Sequence, residues 1–296
     1  MSLRLALIGY GEVGRILHAD LVARGVSDIV VHDRLFADPA SPPSRAAAED
    51  QARVASGLAE ACAGRDLVIS AVTAGEALNV ARAARPHLDQ AWFLDLNSVS
   101  PQTRKAEADA LAGSKARYVE GAVMAPIGPK RLQTPILLGG PHAAAVAPLL
   151  DALGFSVSPA GEEIGRASAI KLSRSIFVKG LEAIVTESLA SARHYGVEAE
   201  VLASLGNTLP HPDWPALARY LLTRPLVHGK RRSEEMAEAA GMLAAAGLDA
   251  PMTRGTVEVQ ARQGALGLTG EPFGRLEDLL DSIAERTTAL SSCRKS

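Results

Sequence analysis

The chain of 296 residues is close to neutral, with 31 Lys+Arg against 33 Asp+Glu and a formal net charge of -2, so it has no electrostatic basis for general binding to nucleic acid or to a charged membrane surface. A hydrophobic fraction of 47% supplies material for a sizeable core, and the length fits about two domains. With only two cysteines, Cys62 and Cys293, there is no disulfide framework and no zinc cluster, and the chain reads as a reduced, cytoplasmic protein.

In chain order, Leu3–Ile8 is a short apolar run that ends on glycine. It is too short for a signal segment, and no later run approaches the ~18 apolar residues of a membrane span. Glu12–Arg24 reads as helix and Asp28–His32 as strand, and Pro39–Pro43 as a loop by its Pro and Ser content. Further strands are expected at Leu67–Val72, Ala91–Leu96, Tyr118–Val123 and Pro135–Leu138. Helices are expected between them at Leu58–Ala63, Glu76–Arg85, Gln102–Ala112 and Ala143–Leu153. Strands and helices alternating in this way predict βαβ units and a mainly parallel, Rossmann-type α/β sheet.

Beyond Pro159 the strand signals stop. Glu162–Tyr195 reads as one long helix without proline, and helices follow at Glu198–Ser204, Trp214–Leu222, Ser233–Ala246, Arg254–Gln263 and Leu276–Leu290. The stretch Asn207–Pro215 is too proline-rich to be helical, and its His211, Asp213 and Trp214 read as a connector or a lid. The sequence therefore divides into a dinucleotide-binding domain, 1–161, and an all-α substrate and dimerisation domain, 162–296, joined by the long helix.

Gly9-Tyr10-Gly11-Glu12-Val13-Gly14 follows a strand and opens a helix, which is the context a G-x-G-x-x-G dinucleotide fingerprint requires. Gly9 permits the tight turn, Gly11 admits the pyrophosphate to the backbone, and Gly14 lets helix pack on strand. Asp33 ends the next strand at the spacing expected for a carboxylate on the ribose 2′-OH. Arg34 beside it could instead pair with a 2′-phosphate. The cofactor expectation is NAD or NADP, with NAD favoured. The bland reading is a glycine-rich turn with a solvated Asp.

Lys171 lies in the small-residue segment Gly165–Ser175 and shares a helix face with Ser175. As a general base toward a substrate hydroxyl it must lose its proton, and burial and Arg174 would both depress its pKa. A solvated lysine on an amphipathic helix accounts for the same pattern equally well. No His pair or Cys–His set has metal-ligand spacing, so no metal is expected.

Beyond the fingerprint, the segments Asp95–Pro101 (DLNSVSP), Val119–Ala125 (VEGAVMA) and Thr134–Gly140 (TPILLGG), with Lys171 six positions after Gly165, make the chain resemble the β-hydroxyacid dehydrogenase superfamily, which includes 3-hydroxyisobutyrate and 6-phosphogluconate dehydrogenases. The resemblance implies that Lys171 is the acid/base and that Asn97 and Ser98 lie by the nicotinamide and the substrate. It also implies that Val72 and Thr73 border the nicotinamide, and that Val123 and Met124 belong to the substrate-binding turn. Where the family has Ser-Gly-Gly this chain has Met124-Ala125-Pro126, and where it has Asn three and four residues after the lysine stand Arg174 and Ser175. A Lys–Asp pair usual later in the family is replaced near Glu234-Glu235. With Lys179-Gly-Leu-Glu182 and the stretch His228–Met236, these departures resemble a less characterised branch.

The basic cluster His228–Arg232 either binds an anionic substrate group or, as the composition favours, forms a solvated helix start paired with Glu234, Glu235 and Glu238. The expected activity is NAD(P)-dependent hydride transfer to or from a small, anionic hydroxy acid or sugar-acid alcohol, in a homodimer whose second subunit grips the long helix. The alternatives are an imine reductase and a non-catalytic dinucleotide-sensing protein.

Overall fold

The computed structural model describes residues 3–268 and 274–293, the last three by backbone alone; the Cys293 side chain lies outside this set. The chain divides into two compact units between Lys171 and Leu172.

The first unit is α/β. Its elements run β1 (Arg4–Ile8), α1 (Glu12–Ala23), β2 (Asp28–His32), α2 (Pro42–Glu49), α3 (Leu58–Cys62), β3 (Leu67–Ser70), α4 (Ala77–Ala84), β4 (Trp92–Asp95), α5 (Pro101–Leu111), β5 (Arg117–Val123), α6 (Ile127–Lys130), β6 (Ile136–Gly139), α7 (Ala143–Ala152) and β7 (Val157–Gly161). The seven strands form one sheet in the order β2-β1-β3-β4-β5-β6-β7, parallel except for the β5–β6 pair. The chain reverses direction across the sheet between β1 and β3, which is where doubly wound sheets bind ligands at their carboxyl ends.

The strands read as unbroken apolar runs because both faces of the sheet are covered. Leu5, Leu7, Leu67 and Ile69 pack with Leu17 and Leu21 of α1 on one side, and Ala6, Ile8 and Val68 with Ala81 and Ala84 of α4 on the other. Fully buried alanines at 61, 81 and 84 leave no bulk on those helices, so the abundant Ala serves close helix–sheet packing.

Two expectations for this unit need correction. The Pro39–Pro43 loop is in part the start of a helix. Ser41 caps α2 by accepting from the Ser44 N–H at 3.3 Å, with Pro42 and Pro43 in the first turn, where a missing N–H costs nothing. A seventh strand, β7, was not anticipated. It pairs with β6 at the sheet edge with a register shift at Leu138/Gly139, and Pro159 is tolerated on such an edge.

The second unit is all-α. It contains most of α8 (Arg166–Tyr195, 30 residues), then α9 (Glu198–Thr208), α10 (Trp214–Ala245), α11 (Pro251–Gly264) and α12 (Leu276–Cys293). The separate helices expected at Trp214–Leu222 and Ser233–Ala246 are one continuous helix of 32 residues, with Pro225 inside it. Leu221, Leu222, Pro225 and Leu226 are all buried, so apolar packing outweighs the lost backbone hydrogen bond. Helices α10 and α11 touch backbone to backbone, since a Cβ at Gly229 would fall 2.3 Å from the Gln260 carbonyl oxygen and 2.6 Å from the Gly264 Cα. The proline-rich stretch before α10 is a connector: Asp213 caps α10 through the Ala216 N–H, and buried Trp214 donates to the Leu209 carbonyl at 2.9 Å. Among the described residues, no helix is long and apolar enough to cross a membrane.

Candidate active site

The carboxyl ends of β1, β3 and β4 carry most of the residues singled out from the sequence. Gly9 leaves β1 at φ +97°, and a Cβ there would lie 2.3 Å from the Ala71 carbonyl oxygen; one at Gly14 would lie 1.9 Å from the Gly9 carbonyl oxygen. Both positions therefore require glycine. Gly11 is different: nothing stands within 4 Å of its missing side chain, and no side chain caps the start of α1 there. Open space before uncapped helix amides fits a pyrophosphate. Exposed Glu12 and half-buried Val13 form the first turn of α1.

Around this loop, the Asp33 carboxylate accepts from the backbone N–H of Tyr10 at 2.8 Å and of Leu35 at 2.9 Å. Each oxygen keeps a second acceptor direction. Tyr10 turns its ring into the core, its hydroxyl 2.9 Å from His18 Nδ1 and 3.0 Å from Asp50, so only its backbone faces the loop. Arg34 is exposed and ion-paired to Glu76 at 2.8 Å.

From β4, Asn97 holds the β3 loop in place. Its Oδ1 accepts from the Val72 N–H at 2.6 Å, and its Nδ2 donates to Ser70 Oγ at 3.0 Å and Asp95 Oδ2 at 2.7 Å. The residue is 3% exposed, and its neighbour Ser98 is half-buried. Lys171 Nζ donates to Ser98 Oγ. Thr73 follows as the residue before a short 3-10 turn, Ala74–Glu76. Val123 ends β5 opposite Ile136, and the Met124 N–H donates to the Pro135 carbonyl at 2.9 Å.

Behind the Ser98–Lys171 pair lies a buried ionic cluster that the sequence reading missed. Asp95, Glu107, Glu120 and Arg104 are each fully buried. Arg104 donates to Asp95 Oδ1, to the Asn97 carbonyl, to Ser168 Oγ at 3.0 Å, to Glu107 at 3.3 Å and to the Gly121 carbonyl at 3.3 Å. Glu120 caps α8, taking the Gly165 N–H at 2.8 Å and the Ala167 N–H at 2.7 Å. A carboxylate at a helix N-terminus is doubly favoured, by hydrogen bonds and by the helix dipole. Room for it comes from Gly139, its partner across the β5–β6 pair, where a Cβ would fall 2.1 Å from Glu120 Oε1. Gly165 is needed too, with φ +96° and Pro101 2.9 Å from where its Cβ would be. Polar residues closing the apolar strands WFLD and RYVEGAV, and glycines facing them, were the available signal.

Three carboxylates surround one guanidinium, so the cluster cannot ionise fully. Burial, and then the Asp95 charge, push Glu107 up from the usual 4.5 to about 7, against the pull of Arg104. Burial also raises Glu120 and Tyr118, and the Tyr118 hydroxyl donates to Glu107 at 2.6 Å. Between pH 4.5 and 7 the folded chain thus keeps a proton that the unfolded chain has released. The stability from this group is complete below about 4.5 and is lost as the pH rises to 7. Glu107→Gln removes that titration, so its stability relative to the parent should rise by on the order of 3 kcal/mol between pH 4.5 and 8. Urea unfolding of both proteins at the two pH values reads it, and a pH-independent difference would contradict the protonated state.

The remaining sequence candidates lie in the second unit. Ser175 donates to Glu235 at 2.6 Å and accepts from Lys179 at 3.2 Å, while Lys179 pairs with Glu235 at 2.8 Å. Burial pushes the Lys179 pKa down, with Glu235 opposing. Arg232 is buried and pairs with Glu182, which also takes a hydrogen bond from Gln260 at 2.9 Å. This corrects the reading of His228–Arg232 as a solvated helix start: the cluster lies within α10, and Arg232 and Glu235 pair with Glu182 and Lys179 of α8. The run Lys179–Glu182 is thereby accounted for as the α8 half of two buried ion pairs. Arg174 lies on an exposed face of α8. Among the described residues no group of three or more His, Cys, Asp or Glu is arranged to hold a metal ion.

Residues 192–263 match the family described as a domain of unknown function, DUF1932. A conserved hypothetical protein from Sinorhizobium meliloti 1021 is 37% identical over 97% of both chains, with a TM-score of 0.77. A conserved protein of unknown function, whose structure is described as similar to 3-hydroxyacid dehydrogenases, is 29% identical over 96% of this chain and 99% of its own (TM-score 0.70). The fold is shared with the 3-hydroxyisobutyrate dehydrogenase of Mycobacterium tuberculosis, solved with L-serine (17% identity, 96% and 99% covered, TM-score 0.72). It is shared as well with an Aspergillus terreus imine reductase in complex with NADPH4 (23%, 95% and 99%, TM-score 0.59).

Proposed function

The chain belongs to the β-hydroxyacid dehydrogenase superfamily, and from that premise we propose that it is an NAD(P)-dependent oxidoreductase acting on the alcohol carbon of a small, anionic hydroxy acid or sugar acid. The observation that carries this reading is the hydrogen bond from Lys171 to Ser98, at the carboxyl end of the strand two places from the glycine loop. With one N–H given to Ser98, a neutral Lys171 amine keeps its lone pair for a substrate hydroxyl. It takes the hydroxyl proton in oxidation and returns it in reduction. The nicotinamide, when bound, supplies the hydride acceptor or donor. Gly9–Gly14 and Asp33 would hold the dinucleotide, with Val72 and Thr73 beside the nicotinamide and Val123 and Met124 at the substrate. Arg174 would pair with the substrate's carboxylate.

The test is a screen of hydroxy acids, aldehydes and imines with NAD and NADP, followed by the absorbance of the reduced nicotinamide. Turnover of hydroxy acids is the expected result. Imines alone as substrates would favour the reductase reading, to which the Aspergillus fold likeness lends support. Dinucleotide binding without any turnover would favour a sensing role.

Cofactor choice is tested by binding alone. Asp33→Asn keeps one oxygen, enough for one of the two loop amides, and loses the charge. It should weaken NAD binding by about tenfold, the scale of one hydrogen bond to a charged group, with a smaller loss for NADP. Calorimetry with both dinucleotides checks this; equal losses would make Arg34 the governing residue. A homodimer is also expected, because Phe177 (74% exposed) and Ile184 (52%) leave apolar surface two turns apart on α8. Light scattering that finds only monomer at micromolar concentration would count against it.

A further inference from the structure

We propose that Arg104 is a positioning residue that holds Ser98 and Lys171 at hydrogen-bonding distance, acting as a rigid brace between the β4 loop and the first turn of α8. The proposal rests on the oxidoreductase reading of that pair.

The two groups come from distant parts of the sequence, 73 residues apart, and each is tied to the same buried guanidinium one step away. On the loop side, Arg104 donates to the carbonyl of Asn97, the residue before Ser98, and to Asp95. Asp95 itself takes the Asn97 backbone N–H at 2.8 Å and side-chain amide at 2.7 Å. On the helix side, Arg104 Nε donates to Ser168 Oγ at 3.0 Å, and Ser168 lies one turn before Lys171 on α8. A fourth arm reaches the Gly121 carbonyl of β5 at 3.3 Å. Because a guanidinium is planar with donors in a fixed fork, these partners cannot move independently of one another. Glu120 adds a second hold on the same helix: it caps Gly165 and Ala167 and lies 3.9 Å from Arg104 Nε. A lysine side chain could satisfy Asp95 but could not also reach the loop carbonyl and Ser168.

Such a brace does more than stabilise. A cluster built only for stability would be as good or better if replaced by apolar packing, whereas this one spends its donors on the two segments that present the reacting groups. The expected consequence of loosening it is misplacement rather than unfolding.

Two variants of the 296-residue chain test this. Ser168→Ala removes the strut to α8 while leaving the cluster's charges intact, and Arg104→Lys keeps the charge without the fork. Each should lower kcat by about 10- to 100-fold, the scale of an ångström-sized misplacement of a reacting group, with KM and the dinucleotide Kd within about twofold. A second readout needs no substrate. With 13C-labelled lysine, the Lys171 Cε resonance, assigned by its loss in Lys171→Ala, should move toward the position of a solvent-exposed lysine in both variants. If Arg104→Lys fails to fold, Ser168→Ala alone decides. Parent-like kcat and an unmoved Lys171 resonance in folded Ser168→Ala, even with a lowered Tm, would overturn the brace. Full activity in Lys171→Ala would instead overturn the oxidoreductase reading on which it rests.

Discussion

Lys171→Ala is expected to lose turnover by about 10²- to 10⁴-fold, the range general acid–base groups supply, while NAD and NADP bind as before. The split follows from the structure. Dinucleotide contacts are expected on the Gly9–Gly14 loop and Asp33, which are held by hydrogen bonds from Gly9 to His32 and from Tyr10 and Leu35 to Asp33, away from Lys171. Lys171, by contrast, meets Ser98 on the β4 side of the sheet. The loss should fall on kcat, because the amine matters most as the proton moves. Steady-state rates on the substrate found by screening, with dinucleotide affinity measured by fluorescence, check it. Unchanged turnover would remove Lys171 from the chemistry and leave the Ser98 contact a packing detail.

The second large effect concerns stability. Arg104→Met leaves Asp95, Glu107 and Glu120 buried with no guanidinium among them. Breaking a buried ionic network by removing one partner typically costs about 3–5 kcal/mol, a large share of the ~5–15 kcal/mol that holds a domain folded. The deficit should shrink at lower pH, because protonation relieves the stranded carboxylates. Urea unfolding at pH 7 and pH 5 measures both claims. A loss under about 1 kcal/mol at pH 7 would mean that the carboxylates are solvated or already neutral.

The parts of this molecule that were legible in its sequence are those governed by local rules. The glycine fingerprint could be read because a Cβ at Gly9 or Gly14 would meet backbone at under 2.5 Å, so no other residue fits there. The alternation of strands and helices could be read because the inner strands are buried on both faces, whereas the partly exposed edge strand β7 escaped. What escaped is what depends on long-range partners. Arg104 looked like any charged residue on an exposed helix, since nothing within α5 announces that Asp95, Asn97 and Ser168 converge on it from two other segments. The continuity of α10 through Pro225 was hidden for the same reason: the apolar contacts that outweigh the proline lie on other helices. Glu235 and Arg232 suggested local pairing along their own helix, and their partners on α8, Lys179 and Glu182, could not be read from that helix alone.

The resemblance to a known superfamily pointed to Asn97, Ser98 and Lys171 together, and the structure gives the first of them a set of contacts that the sequence did not announce. With its amide committed to Val72, Ser70 and Asp95, Asn97 shapes the β3 loop.

The fastening of Tyr10 bears on the thermodynamics of cofactor capture. Its backbone N–H is held by Asp33 and its hydroxyl by His18 and Asp50, while the preceding Gly9 N–H is bound to the His32 carbonyl at 2.8 Å. The loop is therefore tethered from the sheet, from α1 and from α2 before any ligand arrives. Little backbone freedom is left for a dinucleotide to quench, so its association should carry a small conformational-entropy penalty and be limited by encounter rather than by loop rearrangement.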